Sequence, residues 1–391
     1  MSAPGVPSSG DRGPGTGHTR RVSVVLPTHG RRDSLLRTLR ALARQTVPPG
    51  WFEVIVVCDG DVDGSYAACA RLTSTLPYSL VVVQQPQQGP AAARNRGIAE
   101  ATALLIAFID DDVVPVEGWL SLHLAGHGEA AGDPGTRASG TGSPEPGTGY
   151  PLGGELWGDG PVAGVPAATR NPRTGVESGV ATIGPLLPPL DTRLSLWGSW
   201  EERTLCRQYD GMRPGGWAPT YRQFYTGNAM VPKEQLLAAG GFDSSFRRAE
   251  DVELALRLAE RGLAFRFLPE AEGRHYVQRR FAAWERSATA YGVADVRMAR
   301  AGHPWILDLV GREFRARHLS VRLLALLVAG RPGLLEPLAM VLGCAVRLAD
   351  VLRAPAVGLP CCSVLFNLRY YAGLAAALGG RAAFRAAMTT G

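Results

Sequence analysis

Lysine is almost missing from this chain: Lys233 is the only one in 391 residues, so nearly all of the 41 basic side chains are arginines, and the formal net charge is +6. That surplus supports no nucleic-acid reading, because no arginine-rich stretch interleaved with aromatics occurs. Cysteine is sparse too. Cys58, Cys69, Cys206, Cys344, Cys361 and Cys362 have neither a pairing rhythm nor metal-finger spacing. This argues against a disulfide framework and for a reducing compartment. No glycine pattern of the dinucleotide-binding or P-loop kind follows a strand, which leaves both chemistries unsupported. No uncharged apolar run reaches the roughly 18 residues that a simple membrane-spanning helix needs. Residues 1–20, rich in Gly, Pro and Ser, lack the apolar core of a signal peptide and read as a disordered tail. The expected location is therefore cytoplasmic.

What the chain has is an alternation of short apolar runs with helical patterns. Residues 22–26 read as a strand, and Asp33 is placed to cap a helix whose Leu35, Leu36, Leu39 and Leu42 share a face. The cycle repeats with strands at 54–57, 80–83 and 104–109 and helices at about 65–74 and 90–102. Such alternation implies right-handed crossovers and a mostly parallel sheet flanked by helices. Pro27, Thr28, Asp59 and the run Asp110-Asp111-Asp112 then fall just past the carboxyl ends of strands. Open α/β sheets bind ligands at that edge. Three carboxylates on the end of a buried strand suit a divalent cation, Mg or Mn, whose shell is completed by phosphate oxygens and water. An isolated acidic run is more often a solvated turn, so the remaining motifs decide between the two readings.

From about 127 to 190 the chain is rich in Gly, Pro, Thr and Ala and reads as a loop-rich insertion. A second ordered block, about 197–292, holds Thr226-Gly227-Asn228, the turn Gly240-Gly241-Phe242-Asp243, and a helix at about 249–261 with Glu250 and Asp251 in its first turn. From 319 to 380 the chain is strongly apolar but punctuated by Arg322, Arg331, Arg347, Arg353 and Arg369. Helices of that kind fit either a peripheral contact with an anionic membrane surface or packing on one another and at a homodimer interface.

Taken in order, Val22 to Thr28, Asp59-Gly60, Ala93-Arg94-Asn95-Arg96-Gly97-Ile98, Phe108 to Asp112, Gly240 to Asp243 and Glu250-Asp251 resemble the family 2 glycosyltransferases. These are inverting enzymes of the GT-A nucleotide-diphospho-sugar transferase fold. The resemblance covers about residues 22–292 and leaves 293–391 as a C-terminal helical region. It implies that Pro27 and Thr28 pack on the nucleotide, that Asp59 reads the base, usually uracil, and that Arg94 braces the nucleotide and the acidic loop. Asn95 and Gly97 look structural. Asp110 and Asp112 match the two acids of an Asp-x-Asp motif, the first facing the ribose and the last the metal, with Asp111 turned away or assisting. Asp251, with Glu250 beside it, matches the base that deprotonates an acceptor hydroxyl. His275 stands where related enzymes carry a further metal or phosphate ligand, and Arg279 and Arg280 where phosphates are braced. The expected substrates are a nucleotide-sugar, UDP-linked, and a hydroxyl acceptor that is lipid-linked, a polysaccharide or a small molecule.

Departures from the pattern bear on nucleotide choice. Cys58 replaces a common first Asp, Asp61 replaces the usual Ser, and His29-Gly30 follow Thr28. Gln278-Arg279-Arg280 and Trp284 do not keep the Gln-x-x-Arg-Trp spacing of processive synthases, which favours transfer of a single sugar. Two rivals remain at this stage. A sugar-nucleotide pyrophosphorylase would carry a glycine-rich basic loop after the first strand, which Leu26 to Arg31 lacks. A non-catalytic membrane scaffold of the same fold would have no reason to keep Asp110, Asp112 and Asp251 together.

Overall fold

The computed structural model describes residues 20–128, 179–276 and 279–389. The expected N-terminal tail up to residue 19, most of the expected insertion, and Gln278 lie outside these residues. The first half forms β1 (Val22–Thr28), α1 (Arg32–Leu42), β2 (Phe52–Asp59), α2 (Ser65–Ala70), β3 (Ser79–Gln85), α3 (Pro90–Glu100), β4 (Leu105–Ile109), β5 (Val113–Pro115) and α4 (Trp119–Gly126). The middle forms β6 (Val180–Ile183), β7 (Leu186–Leu187), α5 (Leu196–Gly211), β8 (Asn228–Pro232), α6 (Lys233–Ala238), α7 (Glu250–Glu260), β9 (Ala264–Phe267) and β10 (Gly273–His275). Helices complete the chain: α8 (Phe281–Arg300), α9 (Trp305–Ala316), α10 (Leu319–Val328), α11 (Pro332–Val351), α12 (Pro355–Leu378) and α13 (Arg381–Thr389).

β2 and β4 are buried along their whole length, and β1 nearly so, as near-continuous apolar runs demand when helices cover both faces of a sheet. They occupy the middle of a seven-stranded sheet of order β3-β2-β1-β4-β8-β6-β9. The pairings are parallel except those of β8, which runs antiparallel to both β4 and β6. The architecture is the expected α/β one, with a single reversed strand making the sheet mixed. Parallel registers align Thr28 with Cys58 and Cys58 with Gln84, so the carboxyl ends of β1, β2 and β3 finish together. α3 lies close against this sheet. A side chain at Gly97 would sit 2.3 Å from Val25 Cγ1, so only glycine admits the approach.

A small second sheet, β5-β10-β7, sits beyond the edge of the first. Its register sets His275 opposite Val113, the residue after the acidic run.

Local expectations shift in several places. Arg31, without a side-chain cap, precedes α1, and Asp33 lies in the first turn instead of capping it. Leu104 is exposed and outside β4. The end of the expected insertion holds β6, an interior strand of the main sheet. Four residues between Gly and Pro gave it no readable alternation.

The C-terminal helices are not an appendage. One apolar core runs from Ile106 and Phe108 of β4 through Trp200 and Trp284 to Leu365, Phe366 and Leu374 of α12 and on to Phe384 of α13. The boundary expected at residue 292 falls inside α8. There α8 and α12 meet almost backbone to backbone: a Cβ on Gly292 would lie 2.2 Å from the Tyr370 carbonyl oxygen, and one on Gly373 2.2 Å from that of Thr289. Among the described residues, α12 alone has the length and apolarity to cross a bilayer, yet its Leu365, Leu368, Tyr371 and Leu374 are core residues.

Gly373→Ala should therefore cost about 1–3 kcal/mol of stability in urea unfolding, as overpacking does. Gly333→Ala in the first turn of α11, where a Cβ meets nothing within 4 Å, should leave stability unchanged or raise it by up to about 1 kcal/mol.

Candidate active site

The carboxyl edge of the main sheet collects the acidic run. Asp110, Asp111 and Asp112 leave the end of β4, and β5 begins at once, so the chain turns tightly through three carboxylates. Each carboxylate faces a different partner.

Asp110 is partly exposed, and its Oδ1 accepts a hydrogen bond from Arg94 Nη2 at 2.9 Å. Asp111 is buried beneath β1: Thr28 donates its hydroxyl to Oδ2 at 2.7 Å and Arg31 Nη1 lies 3.1 Å from Oδ1. Burial, only partly offset by Arg31, pushes its carboxyl up to about 6. Thr38 on α1 adds hydrogen bonds from its hydroxyl to the carbonyls of Asp111 and Val113. Asp112 takes a 2.7 Å contact from Arg31 Nη1 on Oδ2, while its buried Oδ1 lies 3.3 Å from His275 Nε2 and completes no hydrogen bond. Burial works against ionisation here, but His275 and then Arg31 outweigh it and hold Asp112 below the usual carboxylate value.

Arg94 reaches the site from α3. Its guanidinium is buried, with Nη2 on Asp110 and Nη1 on Glu250 Oε1, both at 2.9 Å. It thus ties the acidic loop to the start of α7. That helix opens in an unusual way: Ala249 adopts the left-handed conformation at φ 58°, a cost of order 1–3 kcal/mol that tends to gather at functional sites. The turn throws Glu250 and Asp251 toward the cleft. Desolvation, with Glu250 alongside, raises the Asp251 carboxyl to about 7, although Arg94 pulls the other way and the Val252 amide donates to its Oδ1 at 2.9 Å. Asn95, one residue after Arg94, clamps the glycine turn by accepting from the Phe242 amide and donating to its carbonyl, both at 2.8 Å.

Asp59, at the end of β2, is nearly saturated. Its Oδ1 accepts from Gln85 Nε2 and the Gln88 amide, each at 2.8 Å, and Oδ2 from the Gly89 amide at 2.7 Å. It holds the loop that feeds α3, and its carbonyl oxygen lies 2.6 Å from His29 Nδ1.

A cleft of about 1100 Å³ covers this edge, with Pro27, Thr28, Asp59, Arg94, Asp110 to Asp112, Glu250, Asp251 and His275 all on its walls. Every site residue expected from the sequence lines this one space. The carboxyl groups of Asp110, Asp111, Asp112, Glu250 and Asp251 meet the guanidiniums of Arg31 and Arg94, and Arg193, Arg222, Arg248, Arg279 and Arg280 also line the cleft. Arg279, on the far wall, is already paired with Glu201 at 2.8 Å. Arg31 itself was not singled out by the sequence. The one available signal was a basic residue three positions after Thr28 in a chain with three clustered acids. Trp197, Leu186 and Leu187 also line the cleft and carried no signal, since aromatic and aliphatic residues look alike in a core or a groove.

The comparisons with known proteins bear on what this cleft serves. The "Glycosyl transferase family 2" model matches residues 23–132, and the "Glycosyl transferase family group 2" model matches residues 199–376. The chain belongs to the family 2 glycosyltransferases. Its curated relatives include glycosyltransferase AglE of Haloferax volcanii, 32% identical over 99 residues, which are 25% of this chain and 33% of that protein. Validoxylamine A glucosyltransferase of Streptomyces hygroscopicus subsp. limoneus is 38% identical over 112 residues, 29% of this chain and 25% of that protein. The matched stretch thus spans a quarter to a third of these relatives' length. Among solved structures, the mannosyltransferase PcManGT from Pyrobaculum calidifontis, in complex with GDP-Man and Mn2+, has a TM-score of 0.48 at 18% identity, covering 90% of this chain and 86% of that one. S. aureus TarS 1-349 in complex with UDP has 0.47 at 14%, covering 90% of each. A mixed α/β sheet followed by a helical C-terminal region is the architecture on which these matches fall.

In this glycosyltransferase, Arg94→Met should destabilise by about 3 kcal/mol in urea unfolding, because it strands the buried Glu250 carboxylate and unpairs the partly exposed Asp110. Arg94→Lys should recover only part of that loss, since an ammonium lacks the guanidinium fork that meets Asp110 and Glu250 together.

Proposed function

We propose that this glycosyltransferase moves one sugar from a nucleotide-diphospho-sugar, UDP-linked, to an acceptor hydroxyl with inversion. The observation that carries the reading is Asp251. It is an acid whose carboxyl is raised to about 7, held at the start of α7 on the same cleft as the acidic edge of the sheet. A general base works best with a pKa near the operating pH.

In the proposed reaction Asp251 accepts the proton of the acceptor hydroxyl. The oxygen attacks the anomeric carbon from the face opposite the nucleotide, and the bond from that carbon to the diphosphate oxygen breaks. The nucleoside diphosphate leaves with the electron pair. Glu250, fixed by Arg94, keeps Asp251 aimed and its pKa high. Thr28 and Pro27 pack on the nucleotide, and Asp59 reads the base from its remaining lone pair. The sequence motifs and the lining of the cleft support these roles. Every residue given a role here lies between Pro27 and Asp251.

The donor set fits a divalent cation. Among the described residues no three His, Cys, Asp or Glu side chains form a ready-made cage. The unsatisfied buried Oδ1 of Asp112 beside His275 Nε2 nevertheless offers two ligands on one side. A Mg- or Mn-type site commonly takes one or two protein ligands and fills the rest from substrate phosphates and water. When bound, the cation would offset the charge that develops on the diphosphate. The Asp112 carboxylate at that edge, held in its charged form, would otherwise repel that anion.

Asp251→Asn should lower kcat by about 10²- to 10⁴-fold in a nucleoside-diphosphate release assay while leaving donor KM within a few-fold. In the wild type, only the ionised carboxylate accepts the proton. The rate should therefore fall about tenfold per pH unit as pH drops below about 7 and level off above it. Full activity in the Asn variant, or a rate flat between pH 5 and 8, would remove Asp251 as the base. In the same assay, run across nucleotide-sugars, Asp112→Ala and chelation should each abolish turnover, and activity that survives both would remove the cation.

A further inference from the structure

α11 leaves one of its faces uncovered. Leu334, Met340, Val341, Leu348, Val351 and Leu352 are all large apolar side chains that face solvent, from 46% exposed at Leu334 to 78% at Val351. Pro337 and Cys344 are exposed between them. Positions 334, 337, 341, 344, 348 and 351 are spaced by three and four, so they form one stripe along about 25 Å of helix. The opposite face, with Leu335, Ala339, Val346 and Ala349, is core. Val357, 58% exposed, continues the stripe onto the start of α12. Contiguous exposed apolar surface on this scale marks an interaction site.

The charges around the stripe say what kind of surface covers it. Arg331 and Arg353 are exposed at its two ends, and Arg347 lies along it with its guanidinium over the Phe281 ring at 4.6 Å. The acids nearby are neutralised or turned inward. Glu336 is held by Arg369 at 2.6 Å, and Asp350 accepts from the Leu196 amide at 3.0 Å. An apolar stripe edged by arginines, with no unpaired acid along it, fits the interface of an anionic bilayer.

The stripe also ends at the cleft. Asp350 lines the cleft wall and Arg193 Nη2 donates to its carbonyl at 3.1 Å, while Val351 and Leu352, the next two residues, belong to the exposed stripe. A membrane against α11 would meet the rim of the cleft at Arg193 and Asp350.

Building on the glycosyltransferase reading above, we propose that the outer face of α11 docks the protein on an anionic membrane surface, and that the acceptor is a lipid-anchored hydroxyl presented there to the Arg193–Asp350 rim.

The test uses the full chain and a Met340→Ser, Leu348→Ser, Val351→Ser triple variant, whose changes are all on the solvent side. Co-sedimentation is measured with vesicles of equimolar phosphatidylcholine and phosphatidylglycerol and with phosphatidylcholine alone. The wild type should bind the anionic vesicles at least about tenfold more tightly than the neutral ones, lose that binding in high salt, and lose it at least about tenfold in the variant. Transfer of labelled sugar from a donor into the organic-extractable fraction of bacterial membranes should fall in parallel, while turnover of donor by water and donor affinity stay unchanged. Wild type that ignores anionic vesicles, or a variant that binds them equally well, overturns the docking. A wild-type dimer that becomes monomeric in the variant without any vesicle binding reassigns the face to a second copy. Equal lipid labelling by both proteins overturns the acceptor assignment alone. Absence of donor turnover in both proteins would instead count against the glycosyl-transfer reading.

Discussion

The Arg94 guanidinium, buried between Asp110 and Glu250, is the contact on which this architecture turns. Two acidic segments separated by more than a hundred residues, the end of β4 and the start of α7, carry like charge and would drift apart if left to themselves. A buried cation with two donors at fixed angles holds both in one geometry. α3 can deliver it because Gly97 lets the helix lie against Val25, and because Asn95, next along the helix, grips the turn at Phe242 that leads toward α7. The clamp, the glycine and the turn are one device for bringing a helix start to a sheet edge.

The consequence is electrostatic crowding. Neither Asp111 nor Asp251 ionises as readily as a carboxylate in water, the first raised to about 6 and the second to about 7, in both cases chiefly by desolvation. Asp112 escapes that fate because His275 and Arg31 favour its charged form. Two adjacent residues of one short run thus become acids of opposite tendency, set by which neighbour each meets. Environments that push paired acids apart in pKa are what an acid–base site requires. The open Oδ1 of Asp112 makes the division of labour in the proposed reaction concrete: one end of the cleft handles a proton and the other a diphosphate.

Much of this was legible in the chain. Strands β1, β2 and β4 announce themselves as apolar runs, and the polar residues that follow them had to share one edge once the crossovers were assumed parallel. The motif order then placed Asp59, Arg94, Asp110 to Asp112, Glu250, Asp251 and His275, which do meet in one cleft. Other features were hidden for physical reasons. β6 is too short to alternate and stands among glycines and prolines, and its role comes from pairing with β8 and β9. Arg31 becomes part of the site only through the fold, which lays it across Asp111 and Asp112. The fusion of the C-terminal helices to the core beneath the main sheet was equally unreadable. It depends on α8 and α12 touching at Gly292 and Gly373, and small residues in a helix carry no mark of what they approach.

That fusion ties the periphery to the chemistry. α12 shares the core with β4 through Trp200 and Phe366, and Asp350 at the end of α11 holds the start of α5 beside the cleft. In the proposed reaction the acidic edge, held by Arg94, receives a diphosphate through a cation at Asp112. The most direct measurement is anomalous diffraction from crystals of the protein soaked with manganese and a nucleotide-sugar. One strong manganese peak is expected about 2.0–2.5 Å from Asp112 Oδ1 and from a diphosphate oxygen. A diphosphate bound with no manganese at Asp112, or manganese seated away from the acidic edge, would contradict it.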